Sequence, residues 1–184
     1  MIKTKHLTAL LALTLLVGTG CGGSGTEGPK TGDDGATPAS SGGTAAEVSA
    51  EYVTGEGPKT LAEAKGKVVI VDFWATYCQP CKKSFPKYQD LVDQFGGDLA
   101  VIAVSVDEVG DVDEAKLKEF AEQTGVKFTI LWDKEQKTAK AYSPPKMPTS
   151  YIIDKEGNIA HKHAGYESGE EEKIAEEVKA LLGK

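Results

Sequence analysis

Two nearly continuous apolar runs, KVVIVDF at 67–73 and LAVIAVSV at 99–106, most constrain how this chain can fold. Runs of this kind, rich in β-branched residues and without polar alternation, indicate strands covered on both faces of a sheet. The segment between them has apolar residues at helical spacing from about Pro80 to Phe95 and then two glycines. A strand, a helix and another strand in this order predict an α/β fold.

The rest of the folded part predicts further helices and strands. One helix begins with a capping box of Asp111 and Glu114, and the last helix begins with a capping box of Ser168 and Glu171. The other predicted elements are strands at 127–132, 149–154 and 159–164 and a short helix at 136–142. The order β-α-β-α-β-α-β-β-α predicts a mixed central sheet with helices on both faces.

Residues 1–20 have the form of an export signal. Two lysines precede the apolar run LTALLALTLLVG, which is short for a membrane span. The following GTGC resembles the lipobox of bacterial lipoproteins, in which the cysteine, here Cys21, is lipidated and becomes the N-terminus. Gly18 departs from that pattern, which has an apolar residue there, and a plain secretory signal is the alternative. Both predict an extracytoplasmic domain, and a lipid on Cys21 predicts anchoring to the cell membrane or outer membrane.

Residues 21–46 are rich in Gly, Ser, Thr and Pro and have few side chains to bury. Such a segment cannot offset its own ordering entropy, so it predicts a flexible tether. The remainder, 47–184, is the predicted folded domain. We therefore expect three parts: a lipoprotein-type signal peptide, a tether, and one α/β domain facing the periplasm or the exterior.

The charge pattern argues against nucleic acid as a partner. The chain has a formal net charge of -7, and all 21 of its Lys and Arg residues are lysine. Without arginine it lacks the planar group that binds phosphate through two hydrogen bonds.

Cys78 and Cys81 lie where the first buried strand gives way to a helix. Free backbone N–H groups and the positive end of the helix dipole point toward such a position, and both favour thiolate over thiol. We expect Cys78 to be the exposed nucleophile, and Cys81 to be partly buried and to resolve the mixed disulfide. A metal site, for which a single CxxC lacks ligands, and a purely structural disulfide are the alternatives.

Two further features accompany the cysteine pair. Asp72 interrupts the apolar run just before it, and a carboxylate in a central strand is costly unless it is paired or useful. Burial raises the pKa of such a group, which suits it to exchange a proton with Cys81. Met147 and Pro148 directly precede a strand, where a cis X-Pro bond can present backbone groups to an extended substrate.

The stretch VVIVDFWATYCQPCKKSFP, taken with the distant KMPTSYIIDKEGNI, resembles the thioredoxin superfamily. It is most similar to the TlpA-like branch of membrane-anchored thiol-disulfide oxidoreductases, over about 65–182. DLAVIAVSVDE and the helix after it are similar to that branch's insertion. The resemblance implies a thioredoxin fold with this insertion helix, and an enzyme whose partners are client protein thiols and disulfides and a membrane electron donor. Clients of such families include apocytochrome c, so cytochrome c maturation is an implied role.

The resemblance also implies roles for individual residues. Cys78 matches the attacking cysteine and Cys81 the resolving one, while Asp72 matches the buried aspartate of plain thioredoxins. The supporting positions are Trp74, the packed aromatic residue; Tyr77 and Gln79, which depart from the usual residues there; Pro80, between the cysteines; and Met147 and Pro148, the cis-proline pair. The departures at Tyr77 and Gln79 bear on the redox potential and the substrate.

Other functions stay open from the sequence. A copper- or other metal-binding chaperone of thioredoxin fold is one alternative, and a thiol peroxidase-like protein, which shares the insertion, is another. No cofactor or bound metal is expected for the disulfide chemistry, because the two sulfurs carry the electrons themselves.

Overall fold

The structure is a computed structural model and describes residues 42–184; the predicted signal peptide, Cys21 and the tether up to residue 41 lie outside that range. The described chain forms six strands and four α-helices. The strands are β1 Glu51–Thr54, β2 Val68–Trp74, β3 Leu99–Ser105, β4 Thr129–Trp132, β5 Thr149–Ile153 and β6 Ile159–Ala164. The helices are α1 Gln79–Phe95, α2 Glu114–Thr124, α3 Lys137–Tyr142 and α4 Glu170–Leu182.

The six strands form one sheet in the order β1-β4-β3-β2-β5-β6. β2 runs parallel to β3, and β3 runs parallel to β4. β1, β5 and β6 each run antiparallel to their neighbours. The predicted mixed sheet is therefore confirmed, with the two most apolar strands at its centre.

The central strand β2 is buried along its whole length and divides the core into two layers. Because side chains alternate across a strand, Ile70, Asp72 and Trp74 lie on one face of the sheet, and Val71 and Phe73 lie on the other. α1, α2 and α4 pack against the face of Trp74. α3 and the N-terminal segment cover the face of Phe73, so helices flank both sides as predicted.

Both predicted capping boxes are wrong in detail. The residue that caps α2 is Asp113, whose carboxylate accepts the backbone N–H of Lys116 at 2.9 Å, two positions after the predicted Asp111. α4 begins after Gly169, and Ser168 makes no cap. The carboxylate of Glu171 instead accepts the N–H of Gly169 at 3.1 Å and the hydroxyl of Tyr166 at 2.8 Å.

The last residues of the predicted tether lie against the domain. Gly42 donates its N–H to the carbonyl of Ile159 at 2.8 Å, and Ala45 donates to Gly157 at 2.9 Å. The carbonyl of Ala46 accepts the hydroxyl of Tyr142 at 2.6 Å. Residues 42–46 therefore contact the turn between β5 and β6 and helix α3, while the domain boundaries themselves stay a prediction.

None of the helices within residues 42–184 combines the length and the apolar composition that crossing a bilayer requires.

Candidate active site

The cysteine pair forms a disulfide at the N-terminus of α1. β2 ends at Trp74, and a turn closed by the bond from the Cys78 N–H to the Ala75 carbonyl, 3.0 Å, leads into the helix. Cys78 is the N-cap of α1, and its sulfur accepts the backbone N–H of Cys81 at 3.2 Å. The sulfur of Cys78 therefore lies where free N–H groups and the helix dipole stabilise a thiolate.

The two sulfurs differ in access. Cys78 keeps 6% of its surface exposed and Cys81 none. The expectation of an openly exposed Cys78 is wrong for the disulfide form, because the bridge and the end of the helix cover most of it. The difference between the two cysteines has the predicted direction, since an approaching group reaches Cys78 first.

The residues around the pair divide into an exposed rim and a buried support. Tyr77 is 69% exposed, and Gln79 and Pro80 are also exposed. Trp74 is fully buried and packs against Phe120, with ring centroids 4.4 Å apart. The exposed residues thus form the rim beside the disulfide, and Trp74 fixes the end of β2 from which the turn starts.

The loop before β5 lies beside the helix start. Its Met147–Pro148 peptide bond is cis. Pro148 is buried and its carbonyl accepts the N–H of Gly165 at 2.7 Å, whereas Met147 is half-buried. Met147 and Pro80 both line a cleft of about 470 Å³, which extends along the segment before α4. The structure therefore brings the predicted supporting residues Pro80, Met147 and Pro148 to one end of the sheet.

Asp72 is completely buried in the middle of the sheet. Burial raises its pKa from 3.8 to about 8, the hydrogen bond from Ser150 lowers it, and the charge of Glu170 raises it. Oδ1 accepts the Ser150 hydroxyl at 2.6 Å, and Oδ2 is buried with no hydrogen-bond partner in the described part of the chain. With a pKa of about 8, this carboxyl can gain and lose a proton near neutral pH. It lies on the side of the sheet that α1, α2 and α4 cover, the side on which Cys81 is also buried.

Sequence reasoning missed the partners of this carboxyl. Ser150 lies directly opposite Asp72 in the antiparallel pairing of β5 with β2. Tyr88 lies within the segment of helical apolar spacing from about Pro80 to Phe95, and its hydroxyl is 2.7 Å from the Ser150 hydroxyl. A serine within a buried strand was the available signal, although its pairing with Asp72 depends on a strand register that the sequence does not show.

A second missed residue, Asp107, holds the turn that leads to Cys78. Its carboxylate accepts the Thr76 N–H at 2.9 Å, the Thr76 hydroxyl at 2.7 Å and the Ser105 hydroxyl at 2.8 Å. Asp107 is only 2% exposed, so these bonds act in a shielded environment. The loop after β3 is thereby fastened to the turn before α1.

No group of three or more His, Cys, Asp or Glu side chains within residues 42–184 is arranged to hold a metal ion. His163 lies between two carboxylates, 3.2 Å from Glu170 and 2.7 Å from Glu177. These contacts join β6 to α4.

A sheet of this order with a disulfide-bonded CxxC at the start of the first core helix defines a protein of thioredoxin fold. The sequence profile of the AhpC/TSA family matches residues 42–162, and the chain belongs to this family.

Curated relatives share the central part of the chain. Thiol-disulfide oxidoreductase ResA of Bacillus anthracis is 35% identical over 118 residues, which make up 63% of this chain and 66% of ResA. Thioredoxin-like protein YneN of Bacillus subtilis is 36% identical over 121 residues, 66% of this chain and 69% of YneN. The chain thus matches slightly less than two thirds of the length of ResA.

Solved structures agree on the fold. A protein from Chlorobium tepidum assigned as thiol:disulfide interchange protein DsbE is 28% identical, with a TM-score of 0.69 over 79% of this chain and 99% of that one. StoA of Bacillus subtilis has a TM-score of 0.58 over 72% of this chain and 96% of its own, at 24% identity, and supports the fold alone.

Proposed function

We propose that this protein is an extracytoplasmic thiol-disulfide oxidoreductase that reduces disulfides in client proteins through Cys78 and Cys81. The observation that carries the proposal is the position of Cys78, which caps α1 and is the more accessible member of a closed disulfide. The names of its relatives, thiol-disulfide oxidoreductase ResA and thioredoxin-like protein YneN, support the same reaction class.

The reduced protein would act in two exchange steps. The Cys78 thiolate attacks one sulfur of a client disulfide, forming a mixed disulfide and expelling one client thiolate. Cys81 then loses its proton and attacks the Cys78 sulfur, which expels the second client thiolate and closes the Cys78–Cys81 bond. Two electrons have passed to the client, and a membrane electron donor restores the dithiol.

The surrounding residues have separate parts in this scheme. Asp72 takes the proton of Cys81 when the bond closes and returns it when the bond opens. Tyr77, Gln79 and Pro80 form the exposed rim that meets the client. The backbone of Met147 pairs with an extended client segment next to the sulfurs, and the cleft beside it accommodates the client's flanking residues.

The cellular setting belongs to the same proposal. The signal-like residues 1–20 and the cysteine that follows favour export, with a lipid on Cys21 holding the domain at the cell membrane or outer membrane. Residues 21–41 then serve as the tether. Apocytochrome c, whose cysteines must be reduced, is a candidate client class in that compartment.

The test uses single cysteine variants and insulin reduction driven by dithiothreitol. Cys78→Ser should lose all activity above the uncatalysed rate, because no thiolate attacks the client. Cys81→Ser should accumulate a mixed disulfide with the client, visible as a mass shift that a reductant removes. Cys21→Ser is the matched control and should keep the wild-type rate in solution.

Wild-type turnover by Cys78→Ser would overturn the assignment of the attacking sulfur. The alternatives have their own readouts with the same proteins. Peroxide consumption that survives Cys81→Ser would favour a thiol peroxidase, and copper binding that is lost on alkylating both cysteines would favour a metal chaperone.

A further inference from the structure

Three buried side chains, one each from α1, β5 and β2, form a continuous chain of hydrogen bonds. Tyr88 of α1 is 1% exposed, Ser150 of β5 is 1% exposed, and Asp72 of β2 is not exposed. The Tyr88 and Ser150 hydroxyls are 2.7 Å apart, and the Ser150 hydroxyl is 2.6 Å from Asp72 Oδ1. Both bonds are short and shielded from water, so each polarises the next.

The direction of the hydrogens in this chain follows from the inventory of donors. Serine has a single O–H, and the Ser150 hydrogen is used in the bond to Asp72. The Tyr88 hydroxyl is therefore the donor to the Ser150 oxygen. Burial, and next the charge of Asp72, raises the pKa of Tyr88 well above its ordinary value, so the tyrosine stays protonated and remains a donor.

The consequence for Asp72 is that its two oxygens are not equivalent. Oδ1 is held by the Ser150 hydroxyl, whereas Oδ2 has no hydrogen-bond partner among residues 42–184. A proton placed on Oδ1 would have to reverse both bonds and leave the Tyr88 hydrogen without its acceptor. A proton placed on Oδ2 leaves the whole chain intact, so Oδ2 is the favoured site of protonation.

α1 brings Cys81 to the same side of the sheet. Cys81 and Tyr88 are both fully or almost fully buried on the face of α1 that packs against the sheet, seven residues apart and hence on one stripe of the helix. Asp72 lies on the same side of the sheet, which α1, α2 and α4 cover. The stripe therefore reaches Asp72 through Tyr88 and Ser150, and Cys81 lies two turns of the helix before Tyr88.

We propose that Ser150 and Tyr88 are positioning residues for disulfide exchange, which hold Oδ1 of Asp72 so that Oδ2 takes up and releases the proton of Cys81. This inference rests on the proposed function. When the Cys78–Cys81 bond is opened by an attacking thiolate at Cys78, Cys81 leaves as a thiolate and receives the Oδ2 proton. When the bond closes, the Cys81 thiol returns that proton to Oδ2 before its sulfur attacks Cys78.

The other charged and titratable groups around Asp72 lie on α4, on the segment before α4 and on β6. α4 contributes Glu170, whose charge acts on both Asp72 and Tyr88, and the segment before α4 contributes Tyr166, which acts on Tyr88. β6 contributes His163, which lies opposite Ser150 and contacts Glu170. On the remaining side, β3 places the apolar Ala103 opposite Asp72.

The main experiment follows the protonation of Asp72 in the oxidised protein by infrared spectroscopy. The carboxylic C=O band that is absent from Asp72→Asn identifies the group, and its loss with rising pH gives a midpoint, about 8 in the wild type. Ser150→Ala removes the donor that favours the charged form and should raise the midpoint by about one pH unit. Ser150→Thr keeps a hydroxyl and should restore the wild-type midpoint.

Tyr88→Phe provides the second arm. It leaves the Ser150 donor in place but removes the group that polarises it, so the midpoint should rise by less than in Ser150→Ala. Tyr142→Phe is the matched control, because Tyr142 is a buried tyrosine on the opposite face of the sheet whose hydroxyl binds the Ala46 carbonyl. Its midpoint should equal that of the wild type.

The midpoint of the pH profile for insulin reduction should move in the same direction as the infrared midpoint. In the Asp72→Asn background, Ser150→Ala should cause no further change in the profile. A Ser150→Ala protein that folds and titrates with the wild-type midpoint would overturn the positioning role. The infrared titration needs no client and therefore tests the positioning role separately from the proposed function. If Ser150→Ala shifts the infrared midpoint but the wild-type protein does not reduce insulin, the positioning role stands and the proposed function is wrong.

Discussion

Asp72 makes the stability of the folded protein depend on pH in a direction opposite to that of most carboxyl groups. Burial raises its pKa from 3.8 to about 8. Between these values the unfolded chain has lost the proton and the folded protein keeps it. Folding then takes up a proton, so the free energy of unfolding falls as the pH rises, by about 1.4 kcal/mol per pH unit.

Asp72→Asn should remove this dependence, because asparagine stays neutral and still offers an oxygen to Ser150. The free energy of unfolding of the variant minus that of the wild type should increase by about 1.4 kcal/mol per pH unit between about pH 4 and about pH 8. Above about pH 8 this difference should stay constant. Urea unfolding of both proteins with the disulfide intact measures the difference. A difference that is constant across the range would mean that Asp72 ionises normally in the folded state.

At the scale of single residues, the sequence predicts a site residue where that residue breaks a regular pattern. It does not predict a site residue whose contacts depend on the pairing register of the strands. The carboxyl in KVVIVDF and the two cysteines at a strand-helix junction were visible as such breaks. Ser150 and Asp107 were not, because a serine or aspartate near the end of a strand is common. Their importance arises from the groups that the folded sheet places within 3 Å of them.

At the scale of elements, helix α2 shows how a cap is selected among several candidates. The segment DVDE offers Asp111 and Asp113, and the pairing of Asp111 with Glu114 favoured the first. In the structure the chain turns into the helix only after Asp113, whose backbone is extended and whose carboxylate accepts the N–H of Lys116. Spacing alone does not settle the first helical residue.

The cap predicts a measurable difference between two neighbouring aspartates. Asp113→Ala should lower the free energy of unfolding by about 1 kcal/mol, because the Lys116 N–H loses its acceptor. Asp111→Ala is the matched control and should change it by less than about 0.5 kcal/mol. Equal losses in the two variants, measured by urea unfolding, would show that the cap has been assigned to the wrong residue.

The sequence did not predict β1, a strand of four residues at the edge of the sheet. Its four residues include one buried side chain, Val53, and pair only with β4. Without a run of apolar residues or a full alternation, such a segment has no periodic signal. The central strands were predictable because their complete burial demands an unbroken apolar sequence, and the predicted thioredoxin-type architecture is confirmed through them.

At the scale of the whole molecule, the segment before β1 acts as part of the domain. Val48 is 3% exposed and belongs to the core layer between the sheet and α3. The backbone of Ser49 exchanges two hydrogen bonds with the hydroxyl of Thr138 on α3. The second face of the sheet is therefore closed partly by residues that precede the first strand.

Val48→Ala should accordingly lower the free energy of unfolding by about 2 kcal/mol, the value for losing two buried methyl-sized groups and leaving a small cavity. Val109→Ala makes the same chemical change at a side chain that is 66% exposed, and it should have an effect below about 0.5 kcal/mol. If Val48→Ala is as mild as Val109→Ala in urea unfolding, the N-terminal segment does not contribute to the core.

Gly42 contacts Ile159, the first residue of β6, and Ala45 contacts Gly157 in the turn at 154–158, so residues 42–45 lie at this end of the sheet. In the pairing of β2 with β5, this turn adjoins Val69, whereas the sulfurs follow Trp74, roughly 17 Å further along the strand. Residues 42–45 and the Cys78–Cys81 disulfide thus lie at opposite ends of the sheet. A molecule that approaches the disulfide therefore meets the end of the sheet farthest from the one that residues 42–45 contact.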